Sequence, residues 1–349
     1  MNEHKPIINL DDPILITGSN GFIGSRVVEA LLRCGFTNLR CFVRPSSRAS
    51  GLREILSGYA GARAEIMPGN LLSRDDCARA ARGVALIFHL AAGVEKTFPG
   101  SFMNSVVTTR NLLDAAVGFG SLRRFVNISS FAVYSNWNMR RGSVLDETCE
   151  LEARPVERAE AYAFAKLKQD SLVQDYSKRY GLPYVILRPG AVYGPGAHQL
   201  TSRVGIDTFG IFLHLGGSNQ LPLTYVDNCS EAIVRAGVAP GVDGQVFNIV
   251  DDDLPTSRQF LRLYKKHTGN FRSLLIPYWL FYPFCWMWEA YSRWSEEQLP
   301  PVFNRRRCST YWKGNKYSNQ KLKQLVGWSP SVAFSEASRR YFEYVRNAG

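Results

Sequence analysis

The sequence predicts an α/β protein in which a doubly wound parallel sheet is followed by a smaller C-terminal α/β lobe. Three observations predict it. A short apolar run, Pro13 to Thr17, leads into the glycine turn Gly18-Ser19-Asn20-Gly21-Phe22-Ile23-Gly24, and helical spacing at Ile23, Val27, Val28 and Leu31 follows. Strand-like and helix-like stretches then alternate, the pattern of parallel strands joined by crossover helices. From Pro195 onward glycine and proline become more frequent and the strict alternation stops. The expected division is therefore 13–194 for the sheet domain and 195–349 mainly for a second lobe, with some later segments returning to the sheet.

The bulk numbers narrow the class. With 45% hydrophobic and 21% charged residues over 349 positions, the chain is globular. A formal charge of +12 suggests anionic partners: a dinucleotide, a phosphorylated substrate, acidic lipid or nucleic acid. No nucleic-acid-binding motif is visible, and Lys and Arg are scattered apart from Arg305, Arg306 and Arg307. The charge is thus read as cofactor attraction plus a basic surface, and no nucleic-acid partner is expected. Seven widely spaced cysteines show no C-x-x-C or Cys/His ligand spacing, which points to a reduced, cytoplasmic compartment and no metal. Met1–Asp12 is polar and acidic and lacks the apolar core of a signal peptide. No apolar run reaches the ~20 residues that a membrane-spanning helix needs.

Each element of the first half carries a chemical expectation. In the glycine turn the first glycine permits the tight bend, the second lets a pyrophosphate approach the backbone, and the third allows close helix–strand packing. The helix that follows offers N–H donors and a positive dipole end to phosphates. Gly18, Asn20, Gly21, Phe22, Ile23 and Gly24 are accordingly expected to hold a dinucleotide. The second strand, Leu39–Val43, ends at Arg44. An acidic residue there would take the ribose hydroxyls, whereas Arg44, with Ser46, Ser47 and Arg48 nearby, suits a 2′-phosphate and favours NADP(H) over NAD(H). The alternative is that Arg44 stacks on adenine or faces solvent. A third strand, Ala64–Met67, turns through Pro68-Gly69-Asn70-Leu71 and places Asn70, with Leu71 beside it, near an adenine. The fourth strand, Val84–Leu90, runs into Ala91, Ala92 and Gly93, small residues past which a cofactor can lie close to the Leu90–Ala92 backbone. They serve plain packing equally well. A helix is expected over Ser105–Val117, and a fifth strand, Phe125–Ile128, ends at Ser129-Ser130. In such sheets ligands bind at the carboxyl ends of the strands, where Ser130 falls.

Ala159–Tyr180 contains no glycine or proline and reads as one helix. Tyr162 and Lys166 stand four residues apart on it, so phenol and ammonium share a face. A phenol with a pKa near ~10 is a poor base at neutral pH. A cation beside it is expected to favour the phenolate and lower that pKa. Such a pair can exchange a proton with a carbinol oxygen. Y-x-x-x-K alone is common by chance, with Tyr162 packing and Lys166 in solvent as the ordinary alternative.

The sixth strand, Tyr184–Arg188, leads into Pro189-Gly190-Ala191-Val192. Short strands are expected at Leu223–Asp227 and Gln245–Ile249, and helices near Asn228–Ala239 and Thr256–Thr268. The C-terminus, Lys321–Arg346, reads as a short helix, a turn at 327–330 and a final amphipathic helix. The stretch Leu274–Trp288 carries no charge and is broken by Pro277 and Pro283. It reads as a buried helix, as the apolar wall or lid of a substrate site, or as a dip into a membrane surface, a reading that Arg272 and Arg293 at its flanks and the net charge sustain.

Several motifs occur in order: Thr17–Gly24, His89-Leu90-Ala91-Ala92, Ser129-Ser130 with Val133-Tyr134, and Tyr162-x-x-x-Lys166. Leu187-Arg188-Pro189-Gly190, Tyr225-Val226-Asp227, Phe247-Asn248 and Leu325–Pro330 follow. Together, from about residue 13 to about 345, they resemble the extended short-chain dehydrogenase/reductase family within the NAD-dependent epimerase/dehydratase superfamily. The pattern is nearest to the dihydroflavonol reductase and 3β-hydroxysteroid dehydrogenase branch. The resemblance implies a Rossmann domain and a Ser–Tyr–Lys catalytic set. Ser130 would hold the substrate oxygen, with Ser129 the adjacent alternative. Tyr162 would be the acid/base, and Lys166 would bind the nicotinamide ribose and lower the tyrosine pKa. Pro189, Gly190 and Val192 would lie beside the nicotinamide. A homodimer is usual among such relatives. Two departures stand out. The family's Asn-Val-x-Gly-Thr appears as Asn104-Ser105-Val106-Val107-Thr108-Thr109, so the asparagine is one place off, and the acidic residue after the second strand is absent.

The function expected is an NAD(P)-dependent oxidoreductase that interconverts a secondary alcohol and a ketone on an apolar substrate. A nucleotide-sugar epimerase is the alternative, with Arg203, Arg235, Arg293 or Arg305–Arg307 available for a sugar diphosphate. A non-catalytic dinucleotide-binding protein is a third class. Dehydration is discounted because Ser130-Phe131-Ala132 stands where dehydratases carry Thr-Asp-Glu.

Overall fold

The computed structural model describes residues 5–348 except 94, 96, 198–200, 209, 270 and 297. Met1–His4, the start of the segment read as lacking a signal-peptide core, therefore lie outside the described residues. The first half alternates as expected: β1 (Ile14–Thr17), α1 (Phe22–Arg33), β2 (Asn38–Val43), α2 (Ser50–Ser57), β3 (Arg63–Pro68), α3 (Arg74–Ala81) and β4 (Leu86–His89). Then come α4 (Phe98–Ser101), a π-helical run (Phe102–Val107), α5 (Thr108–Phe119), β5 (Arg124–Ile128), β6 (Val144–Leu145), α6 (Ala161–Tyr180), β7 (Tyr184–Pro189) and β8 (Ala191–Tyr193).

The remainder comprises β9 (Gly205–Thr208), β10 (Ile211–His214), β11 (Leu223–Tyr225), α7 (Val226–Val238), β12 (Gln245–Ile249), α8 (Ser257–Thr268) and β13 (Ser273–Leu275). It closes with α9 (Tyr278–Trp294), α10 (Arg305–Trp312), β14 (Lys316–Tyr317), α11 (Gln320–Val326) and α12 (Phe334–Ala348). The strand expected over Leu223–Asp227 stops at Tyr225, because Val226 and Asp227 already form the first turn of α7.

Seven parallel strands form the main sheet in the order β12-β7-β5-β4-β1-β2-β3. The chain starts at β1, winds outward through β2 and β3, then crosses to β4 on the other side, so the topological switch lies between β1 and β4. β12, from beyond residue 194, supplies the far edge beside β7.

Side chains alternate across this sheet with the period of two that pleated strands impose. Ile14 and Ile16 of β1, Leu86 and Phe88 of β4, and Val126 and Ile128 of β5 enter one core with α1 and α7. Leu15, Ile87 and Phe125 enter the opposite core with α3, α5 and α6. A sheet buried on both faces favours apolar residues along its strands, and β1 and β4 are apolar up to their last residues, Thr17 and His89. Beyond it, β13-β10-β9 make a small sheet, and β8–β11 and β6–β14 pair in twos.

The reading of Leu274–Trp288 as a buried helix is corrected. The segment forms β13 and α9, of which only Phe281, Cys285 and Ser292 are buried in the helix. Trp279 and Trp294 are 74% and 78% exposed. Its apolar composition exceeds what one contact with α10 can cover.

Candidate active site

The glycine turn is shaped by contacts that leave no room for side chains. Gly18 has φ +70°, and a Cβ there would lie 2.8 Å from the backbone nitrogen of Ala91, so the loops after β1 and β4 touch. A Cβ on Gly24 would lie 2.0 Å from the Gly18 carbonyl oxygen, which is the close helix–strand packing expected of the third glycine. Gly21 caps α1 in extended conformation, and its own N–H donates to the Gly18 carbonyl. A cavity of about 560 Å³ opens at this point, at the switch between β1 and β4.

Gly18, Asn20 and Gly21 line the cavity from the turn, Arg44 and Ser47 from the end of β2, and Asn70 and Leu71 from the loop after β3. Leu90, Ala91, Ala92 and Gly93 line it from the end of β4. Phe22, Ile23 and Gly24 do not line it. Phe22 packs towards Gly196, Ile23 packs on the core, and Gly24 packs on Gly18. They shape the turn rather than the wall. Arg44 is exposed, and among the described residues its side chain has no hydrogen-bond or ion-pair partner. Asn70 holds its own turn by accepting from the Leu72 N–H at 3.0 Å, and Asn20 donates to the Arg48 carbonyl at 2.7 Å.

The displaced asparagine motif falls on a π-helical run, Phe102–Val107, whose i→i+5 hydrogen bonds change the helical register there. Both neighbours reach the β4 loop. The Ser105 hydroxyl accepts from the Gly93 N–H at 3.1 Å, while Asn104 lines the cavity and donates to Glu95 at 3.2 Å.

Beneath the cavity wall lies a network that sequence reading passed over. His89 ends β4 fully buried, its Nδ1 2.8 Å from the Thr17 hydroxyl and its Nε2 2.8 Å from the Thr109 hydroxyl. Gln169 of α6 donates to Thr109 at 2.6 Å. Burial, with the Lys166 charge adding to it, lowers the His89 pKa to about 3, so the ring is neutral. The glycine turn, the β4 loop, α5 and α6 thus meet on one imidazole. His89 stood in a quoted motif, yet only the fold shows what its nitrogens touch.

On the next strands the two serines separate. The Ser129 hydroxyl donates to Asp170 at 2.8 Å; Asn127 donates to the same carboxylate at 3.0 Å, and Arg188 approaches it to 3.2 Å. All four groups are buried, and Arg188 also lies over the Tyr134 ring at 4.9 Å. Ser130 instead accepts from the Ala132 N–H at 3.2 Å and lies near enough to the Tyr162 phenol to act on its pKa. The structure therefore brings Ser130 and Tyr162 together and ties Ser129 to the scaffold.

Lys166 behaves otherwise than expected. Its ammonium donates to the Ile128 carbonyl at 2.6 Å and lies 5.9 Å from the Tyr162 ring centre. Burial raises the Tyr162 pKa to about 12, opposed by the Ser130 hydroxyl and reinforced by the charges of Glu160 and Asp170. Burial likewise lowers Lys166 to about 8. The expected lowering of the phenol pKa by the lysine is thus corrected: desolvation raises it, and the ammonium is turned to the strand end. At neutral pH the phenol holds its proton.

Two further features flank Tyr162. Ala159, just before α6, has φ +54°, a left-handed conformation unusual without glycine. Glu160 beside it receives the Tyr311 hydroxyl of α10 and pairs with the fully buried Arg158 at 2.8 Å. Arg158 in turn donates to the carbonyls of Ala132 and Tyr134, the turn that follows Ser130. Off the end of β7, Gly190 admits no side chain, since a Cβ would lie 2.1 Å from the Pro222 carbonyl oxygen. Pro189 ends β7 next to β5, and Val192 pairs in β8 with Thr224 of β11. None of Pro189, Gly190, Val192, Ser130, Tyr162 and Lys166 lines the 560 Å³ cavity, but Ser130 and Pro189 end neighbouring strands on the same edge of the sheet.

The comparisons agree with this arrangement. Residues 14–249 match the model of the NAD dependent epimerase/dehydratase family, and the chain belongs to that family. It is 29% identical over 251 residues, 68% of this chain and 76% of the relative, to an uncharacterised UDP-glucose epimerase of Bacillus subtilis. It is 26% identical to cinnamoyl-CoA reductase 1 of Petunia hybrida, covering 96% and 91% of the two chains. It is 23% identical to the decarboxylating sterol-4-alpha-carboxylate 3-dehydrogenase of Mus musculus, covering 93% and 88%. Among solved structures, UDP-glucuronic acid 4-epimerase of Bacillus cereus in complex with NAD superposes with a TM-score of 0.70 at 22% identity, over 96% and 99% of the chains. The protein is therefore an enzyme of an NAD(P)-dependent family with a Rossmann-type sheet.

Proposed function

We propose that this family member interconverts a secondary alcohol and a ketone by hydride transfer, with Tyr162 carrying the proton, and prefers NADP(H) to NAD(H). The observation that carries the reading is the nearness of Ser130 to the Tyr162 phenol while Ser129 is held by Asp170. The residues at the switch point fit a dinucleotide: Gly18 and Gly24 leave no space for a Cβ, and the turn opens onto a cavity of about 560 Å³. Gly18, Asn20, Gly21 and the first turn of α1 would hold the pyrophosphate, with Asn70 and Leu71 towards the adenine and Leu90–Ala92 along the cofactor's length. When bound, the dinucleotide supplies the hydride donor or acceptor.

The chain's own residues do the rest. Ser130 orients the reacting oxygen by hydrogen bond, and the protonated Tyr162 phenol gives it a proton, the step that reduction of a ketone needs. With its pKa raised, the phenol carries its proton at neutral pH. Lys166, with a pKa lowered to about 8, is poised to exchange its contact at Ile128 for one to the ribose. Pro189, Gly190 and Val192 would bound the nicotinamide side.

Arg44, exposed at the end of β2 with no ion-pair partner among the described residues, supports the NADP(H) preference. An apolar ketone or alcohol is the favoured substrate class, a reading that the sterol dehydrogenase relative supports. The epimerase relative and the NAD-complexed neighbour support a second reading, NAD-dependent epimerisation of a nucleotide sugar. A homodimer is expected by resemblance.

Mass spectrometry and absorbance of any copurifying dinucleotide, then titration of wild type and Arg44→Asp with NADPH and NADH, separate the two. Loss of one charge-assisted contact, about 1.5–3 kcal/mol, weakens NADPH about 10- to 150-fold and leaves NADH little changed. Tightly retained NAD⁺ with weak NADPH binding would instead favour the epimerase.

A further inference from the structure

Helix α9 presents a wide face that nothing in the described chain covers. At 100° per residue, Trp279, Leu280, Phe284, Trp286, Met287 and Trp294 fall within one arc of roughly 160°. All six are exposed, and no charged residue shares the arc. The opposite side is different in kind: Phe281 and Cys285 are buried against α10, and Glu289, the helix's acidic residue, binds Arg305 there at 2.9 Å. Just before the helix, Leu274 and Leu275 of β13 are also exposed, at 57% and 44%.

From this placement we infer that α9 is an in-plane anchor which docks the protein on an anionic lipid bilayer. The helix has 17 residues, and no described helix is long and apolar enough to cross a membrane, so the apolar arc lies in the interface. Tryptophans at both ends of the helix, with Tyr291 exposed between them, match the headgroup boundary, where an apolar ring with a polar edge is favoured. Exposed Arg272 and Arg293 border the face, and the chain carries a formal charge of +12, complementary to acidic headgroups.

A second copy fits less well. The arc is about 25 Å long and about 10 Å wide, roughly 250 Å², against about 800 Å² per partner in a stable interface. Two-fold pairing would also bring two strongly basic chains together. Docking places the bilayer one helix from the chemistry, because α9 packs on α10, whose Tyr311 hydroxyl is held by Glu160 two residues before Tyr162.

The test is sedimentation of the full chain with vesicles of phosphatidylcholine alone and of phosphatidylcholine with phosphatidylserine, at low and high salt. The expected result is binding to the serine-containing vesicles, weakened by salt, with a blue shift in tryptophan emission and quenching by brominated acyl chains. Binding should fall by at least about tenfold in Trp279→Glu/Trp286→Glu, whose exposed positions leave the melting temperature unchanged. Were that variant to misfold, quenching of the wild type alone decides the matter. Wild type that stays in the supernatant, that shows no quenching, or that loses concentration-dependent dimerisation in the double variant would overturn the inference. These readouts are independent of turnover, so their failure leaves the hydride-transfer reading untouched.

Discussion

Acidification should strike this fold through His89, and the size of the effect can be worked out. In the folded chain its pKa is lowered to about 3 from an ordinary 6.5. The folded state therefore binds fewer protons than the unfolded state between those values. Stability is unaffected above the ordinary pKa and falls as pH drops below it, by about 1.4 kcal/mol per pH unit. At about pH 4.5 the contribution is a loss of about 3 kcal/mol, a large share of the 5–15 kcal/mol typical of a domain. Burial also raises the carboxyl of Asp170 and that of Asp251, the latter to about 7, and both add their own pH dependence, so wild type must be compared with His89→Gln. That variant should be less stable at neutral pH by about 1–3 kcal/mol, because Thr17 and Thr109 lose their ring partners. Urea unfolding across the pH range is the assay. The two stability curves should converge as pH falls. Parallel curves would mean that His89 gains its proton in the folded state, and the network beneath the cavity would be misassigned.

The other expectations concern the neighbouring strand ends. Ser130→Ala should reduce turnover about 10²- to 10³-fold, the range for loss of one donor to a reacting oxygen, without altering dinucleotide affinity. Ser129→Ala should leave turnover nearly intact and cost about 1–3 kcal/mol of stability by removing a donor from buried Asp170. Asp170→Ala leaves Arg188 buried without its ion-pair partner and should cost about 3–5 kcal/mol in denaturant unfolding.

Much of this architecture is written locally. The glycine turn, the alternating strands and the Ala161–Tyr180 helix follow from periodicity and breakers, and Tyr162 and Lys166 stand out through their spacing. What escaped depends on long-range placement. Ser129 is tied to the scaffold by Asp170, 41 residues away in the chain. The link from Glu160 to Tyr311 spans 151 positions, and Arg158 gains meaning only when its carbonyl partners fold over it. The pKa of Tyr162 went opposite to expectation because spacing on a helix fixes a face but not the degree of desolvation. The π-helical run at Phe102–Val107 was also not legible, since its register change leaves no mark in composition. α9 misled for a related reason: an apolar stretch normally signals burial, and only the packed molecule shows which arc of it finds a partner.

The most direct test of the account is Tyr162→Phe, assayed by NADPH consumption against a panel of apolar ketones, with NADPH binding followed by tryptophan fluorescence. The hydroxyl is removed while the ring remains, so dinucleotide affinity should hold while kcat/KM falls about 10²- to 10⁴-fold. Turnover retained at the wild-type level would contradict the assignment of Tyr162 as the proton carrier.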